Sequence, residues 1–153
     1  MIAKAATISH GGNAVRYSVN KDKAEIVKVN FLPDDISAEA MFQRMVLKQK
    51  EFSSIINKGR PLKRNVIRME ISPTKEESAG WTLADWVRLA NEYIRVFDSI
   101  DLSKKAKRAS AKFTNVKNSQ YVVALHHDAK SGIPHLHIDV NRVDTVSYTH
   151  LRA

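Results

Sequence analysis

Two runs rich in β-branched and aromatic residues, QYVVAL (Gln120–Leu125) and HLHIDVNRV (His135–Val143), flank a short polar segment that carries Gly132 and Pro134. Such a pair reads as an antiparallel β-hairpin. A hairpin is not stable by itself, so the rest of the chain must supply more strands and a covering layer. MIAKAATIS at the start and NVIRMEIS (Asn65–Ser72) alternate as strands, and KAEIVKVNFL reads as a further extended piece. A short helix is expected from Asn13 to about Val19, after the Gly11-Gly12 pair. Ser37 can cap a longer helix running to about Asn57, with Met41, Phe42, Met45, Phe52, Ile55 and Ile56 near one face. Thr82 with Asp85 makes a capping box, and Leu83, Trp86, Val87, Ala90, Tyr93, Ile94 and Phe97 trace one helical stripe. Without a regular βαβ repeat, these elements predict an α+β fold: an antiparallel β-sheet with the two long helices packed on one face. At 153 residues and 43% hydrophobic, the chain suits one domain.

The hairpin also holds four of the six histidines, His126, His127, His135 and His137, in a chain with no cysteine. Any metal must therefore be held by nitrogen and oxygen ligands. His135 and His137 are two apart on a strand, so both imidazoles project from one face, roughly 6 to 7 Å apart. Across the hairpin, His126 or His127 can reach the same ion, since strands lie about 4.8 Å apart, but adjacent residues face opposite ways and only one can do so. Three imidazoles leave coordination positions open, which marks a catalytic rather than a structural site. Asp128 or Asp139 could orient a ligand imidazole, and Glu70 could accept a proton from one or act as a base. Imidazole ligands suit zinc, manganese, iron, nickel or copper.

Charge narrows the partner. The chain has 25 Lys+Arg against 16 Asp+Glu, a net +9, which favours polyanions. Lys58, Arg60, Lys63, Arg64 and Arg68 form one basic cluster; Lys104, Lys105, Lys107, Arg108, Lys112 and Lys117 form another without an acidic residue. With Arg142 on the hairpin, these are candidate phosphate contacts to DNA. No window nears the apolar length of a membrane span, and the N-terminus lacks the hydrophobic segment of a secretory signal, so a soluble cytoplasmic protein is expected.

HHDAKSGIPHLHIDVNRVD resembles the third motif of conjugative relaxases, mobilisation proteins of the MobA/VirD2 type within the histidine–hydrophobic–histidine endonucleases. The pattern is His-x-Asp, a short gap, then Pro-His-x-His, a hydrophobic strand and Asn-Arg-Val. Matched residue by residue, His126 is the first histidine, Asp128 completes His-x-Asp, and His135 and His137 are the pair; Pro134, Asn141, Arg142 and Val143 match as well. HGGNAVRYSVNKDK is similar to the family's first motif, which implies Tyr17 as the nucleophile, with Tyr93, Tyr121 and Tyr148 as competitors. The resemblance implies metal-dependent, strand-specific nicking at a plasmid or transposon transfer origin, with magnesium or manganese as the usual ion and zinc or another as an alternative. It further implies single-stranded origin DNA as the substrate, and accessory nicking proteins and a transfer-channel coupling protein as partners.

Rival readings have their own signatures. A rolling-circle replication initiator generally places its tyrosine after the histidines, whereas Tyr17 precedes them. An accessory DNA-binding protein or inactive remnant would keep the basic clusters without cleavage, and a hydrolase of small substrates would have no use for +9. Residues 1–144 are expected to be the nicking domain, truncated at its C-terminus. Residues 145–153 are expected to be a non-native tail, because VSYTHLRA resembles read-through of adapter DNA.

Overall fold

A computed structural model describes residues 1–56, 58–104 and 112–145. Lys105, Lys107, Arg108, Tyr148 and His150 lie outside the described residues. Five strands, β1 (Ile2–Ile8), β2 (Glu25–Asn30), β3 (Val66–Ser72), β4 (Ser119–His126) and β5 (His135–Asp144), form one sheet in the order β1-β3-β5-β4-β2. Every neighbouring pair is antiparallel. The helices are α1 (Gly11–Asn20), α2 (Ala38–Ile55), the single turn α3 (Lys75–Ser78) and α4 (Leu83–Asp98).

The α+β class, the antiparallel sheet and the histidine-bearing hairpin are as the sequence implies. One detail differs: the two long helices lie on opposite faces. Alternation along the strands decides this. Ile67, Met69 and Ile71 of β3, Val123 and Leu125 of β4, and Leu136, Ile138 and Val140 of β5 form one apolar cluster with Trp86, Ala90 and Ile94 of α4. The intervening Val66 and Val122 belong to a second cluster with Val15 of α1 and with Met41 and Met45 of α2. Strands apolar on both faces need a layer on each side, which a one-sided packing would leave exposed.

The caps form where expected. Ser37 Oγ accepts from the Ala40 amide at 3.1 Å, and the Thr82 amide donates to Asp85 Oδ2 at 2.8 Å. The buried stripe of α2 ends at Phe52 and Ser53, so Ile55 and Ile56, expected on the packed face, are exposed, as is Leu83 at the start of α4.

Two contacts set α1 and α2 over the sheet. A Cβ at Gly11 would stand 2.4 Å from Val66 Cγ2, so only glycine lets the start of α1 sit this close to β3. Buried Asn141 of β5 donates to the Met45 carbonyl at 3.1 Å and to Gln120 Oε1 at 2.9 Å, and accepts from Gln49 Nε2 at 3.0 Å. The asparagine of the Asn-Arg-Val run thus ties β5 to α2, and with α1 anchored at Gly11 its last turns reach the far end of the hairpin.

Candidate metal centre

The hairpin register pairs His126 with His135 and Ala124 with His137. All three histidines stand on the α1 side of the sheet, with ring centroids 4.1 Å apart for His126–His137, 5.0 Å for His135–His137 and 5.4 Å for His126–His135. One ring nitrogen from each lies within 4.8 Å of the others. Two bonds of about 2.1 Å to one ion span at most about 4.2 Å, so small side-chain rotations bring all three nitrogens onto a single cation. His127 turns away, exposed, with Nε2 3.2 Å from Glu25 Oε2.

Protonation favours this use. The His126 Nε2–H donates to the Ser18 carbonyl of α1 at 2.8 Å, which leaves Nδ1 as the unprotonated nitrogen. That Nδ1 and Nδ1 of His137 are buried without a hydrogen-bond partner. Burial, together with the neighbouring His126, His135 and Arg68, pushes His137 down to about 3. His126 is lowered as well, chiefly by burial, against the opposing effect of the Ser18 carbonyl. Neutral imidazoles with orphaned lone pairs are the donor set a divalent cation requires. The residues present therefore fit a metal ion.

The groups expected to orient these ligands are arranged differently. Asp128 turns to Lys21, 3.0 Å away, which holds its carboxyl below the usual range. The group that orients His126 is the Ser18 carbonyl; a backbone group leaves no trace in the residue pattern. Glu70 Oε1 is 3.7 Å from His137 Nδ1, beyond hydrogen-bond range, and Arg68 holds it at 3.1 Å.

Tyr17 of α1 lies beside the cluster. Its ring is 5.5 Å from His126 and 5.8 Å from His137, and 43% of the residue is exposed. Lys21 Nζ is 5.0 Å from the ring centroid and the Arg68 guanidinium 5.5 Å. Lys21 did not stand out in the sequence as belonging here; Asp139, expected as a possible orienting group, is buried on the same side of the sheet. Lys21 was detectable at i+4 from Tyr17 on a helix, and Asp139 at i+2 from His137 on a strand. Of the competing tyrosines, Tyr93 is half-buried on α4 and Tyr121 is buried on the α4 face.

Apart from Arg68, which meets the Tyr17 ring, the described members of the basic clusters stand farther away. Lys58, Arg60, Lys63 and Arg64 are exposed on the loop before β3. That loop adjoins Val66, which pairs with Asn141, four residues along β5 from His137. Arg142 donates to the Arg64 carbonyl at 2.8 Å, so it braces this loop. Lys104 is exposed after α4. The cations that meet Tyr17 come singly from α1 and β3.

Residues 16–153 match the family model for the MobA/VirD2-like relaxase nuclease domain. The chain belongs to this relaxase family. At family level it is thus a DNA-nicking nuclease domain, and the three histidines are what could give that nuclease a metal ion. Neither the curated proteins nor the solved structures contain a significant match to this relaxase domain. Among its described residues, no helix is long and apolar enough to cross a membrane.

Proposed function

We propose that this relaxase domain nicks one strand of a plasmid or transposon transfer origin by transesterification through Tyr17, with a divalent ion held by His126, His135 and His137. The observation that carries the reading is the position of an exposed tyrosine ring 5.5 Å and 5.8 Å from two of the three clustered imidazoles. Magnesium or manganese is the proposed ion, and zinc is an alternative that imidazole ligands also accept.

In the reaction, the Tyr17 hydroxyl gives up its proton and its oxygen forms a bond to the scissile phosphorus. The bond from phosphorus to the 3′ oxygen breaks, and that oxygen takes up a proton. The products are a 5′-phosphotyrosyl DNA and a free 3′ hydroxyl. One ester replaces another, so the same site can rejoin the ends without a nucleotide cofactor. A free phenol, with a pKa near 10, is a poor nucleophile at neutral pH, and nearby positive charge favours its phenolate. Lys21 and Arg68 supply that charge, and Asp128 fixes Lys21 in place. A bound divalent cation supplies neutralisation of charge on the phosphate oxygens. His126 is held in its ligand tautomer by Ser18, and the buried flank of the cluster keeps water from two of the rings.

Labelled single-stranded oligonucleotides spanning the host element's candidate transfer origin test this, incubated with the protein and manganese or magnesium and resolved on a denaturing gel. A covalent protein–DNA adduct is expected, absent with chelator and absent in Tyr17→Phe. An adduct that persists in Tyr17→Phe would overturn the assignment of the nucleophile. Salt-sensitive binding without an adduct, on an origin that a full-length relative cleaves, would favour a non-catalytic DNA-binding role.

A further inference from the structure

The sheet extends two strands, β3 and β1, beyond the histidine hairpin, and the outer one is exposed. β1 is an edge strand, exposed from Ile2 to Ala6. Its register sets Lys4 opposite Glu70 and Ala6 opposite Arg68, so Lys4, Ala6 and Ile8 face the α1 side of the sheet. A cleft of about 330 Å³ lies there, lined among others by Lys4, Ala5, Ala6, Ile8, Arg68 and Glu70; Ala5 borders it along the strand, while its Cβ points to the opposite face. Alanine keeps its floor low. Its one acid, Glu70, is already engaged by Arg68, so Lys4 is left to set the charge of the cleft.

The cleft joins two places described separately above. At one end, Arg68 reaches the Tyr17 ring and Glu70 adjoins His137. At the other end, the Ile8 carbonyl accepts from the Asn65 amide at 2.9 Å, directly after the loop that carries Lys58, Arg60, Lys63 and Arg64. From Lys4 to Ile8 is about 13 Å along the strand, a length that accommodates a few nucleotides.

We propose that the α1-side floor of β1 and β3 is a track for single-stranded DNA, leading from Tyr17 past Lys4 and Arg68 to the loop before β3. It rests on the relaxase reading and adds the path of the strand to it. Lys58, Arg60 and Lys63 of the loop before β3 then have a use: they hold phosphates at the distal end, while Lys4 and Arg68 hold those nearer the cut; Arg64 is turned to Thr7 Oγ1 on the opposite face.

Neighbouring alanines on one strand provide the test. Ala6→Glu puts a negative charge into the cleft; Ala5→Glu puts the same charge on the opposite face of the same exposed strand. Binding of a fluorescein-labelled oligothymidylate to the full chain would be measured by anisotropy over a range of salt, with thermal unfolding of both variants compared. Ala6→Glu is expected to weaken binding about tenfold while Ala5→Glu changes it less than about twofold. Lys4→Gln, which leaves the fold alone, is expected to lower the slope of log affinity against log salt by about 0.7. Equal effects of Ala5→Glu and Ala6→Glu, or an unchanged slope in Lys4→Gln, would overturn the track. If the wild-type protein still forms the Tyr17 adduct in that case, the relaxase reading survives; if it neither binds nor reacts, both fall together.

Discussion

The two faces of the sheet are built from alternate residues of the same strands, yet they hold different materials. The α4 side of β3, β4 and β5 is apolar throughout, from Ile67, Met69 and Ile71 to Val123, Leu125, Leu136, Ile138 and Val140. One residue along, the α1 side carries Arg68, Glu70, His126, His137, Asp139 and Asn141. Arg68 Nε and Nδ1 of His126 and His137 are buried without a hydrogen-bond partner among the described residues, and the buried Asp139 carboxyl has the Ser18 hydroxyl and the charge of Arg68 to favour its ionised form. All of these belong to the α1 side. Each unpartnered atom costs about 1–3 kcal/mol if nothing meets it, so the apolar face must hold the fold while the other remains unsatisfied. A face that is costly when empty is one prepared for a ligand.

Three substitutions would break or sharpen this contrast. Tyr17→Phe keeps the ring and removes the oxygen, so adduct formation is expected to fall by more than about 10³-fold. Its unfolding free energy should stay within about 0.5 kcal/mol of wild type, since the lost hydroxyl belongs to an exposed residue. Ile138→Ala should do the reverse, costing about 2–5 kcal/mol in denaturant unfolding. Its neighbour His137→Ala reads the other face. In wild type and in Ile138→Ala, manganese at 100 times its dissociation constant should add about 2.7 kcal/mol of stability; in His137→Ala that increment should vanish. A metal increment that survived in His137→Ala would remove this histidine from the site.

The contrast also marks what the sequence could disclose. Strand alternation gave β1 and β3, the Thr82 and Ser37 caps gave α4 and α2, and the hairpin gave His135 and His137 with one of His126 and His127, the motif resemblance choosing His126, because each rests on residues close in the chain. The distribution of helices over two faces was not legible. Met41 and Trp86 each announce an apolar stripe, but nothing local says which side of the sheet a stripe will meet. The site divides in the same way. His126, His135, His137 and Tyr17 carry a spacing or a motif. Ser18 acts through its backbone, and Lys21 and Arg68 matter only because α1 crosses β3. The basic clusters are legible as runs, but of their described members only Arg68 meets the Tyr17 ring, beside Lys21 from outside both clusters.

The smallest effect is the one in which two groups on the α1 side oppose each other. His137 is pushed down to about 3 by burial, while an unfolded histidine titrates near 6.5. As pH falls from about 6.5 towards 3, the unfolded chain takes up a proton that the native imidazole refuses, so stability is lost on acidification. Asp139 is pushed up to about 6 by burial, against about 3.9 unfolded. Between about 4 and 6 the native carboxyl keeps a proton that the unfolded chain has released, so this group makes stability fall as pH rises. With metal removed by chelator, the two slopes oppose each other over that interval and the contribution of the pair should be nearly flat. Asp139→Asn should unmask the histidine. The variant is expected to be more stable than wild type above pH 6, on the order of 3 kcal/mol, because it lacks the buried carboxylate charge. Its stability should then drop steeply from about pH 6 to 4, where that of wild type changes least. Parallel pH profiles of the two proteins would mean that Asp139 is ionised at no cost where it lies, and that the α1 side is better satisfied than its orphaned atoms indicate.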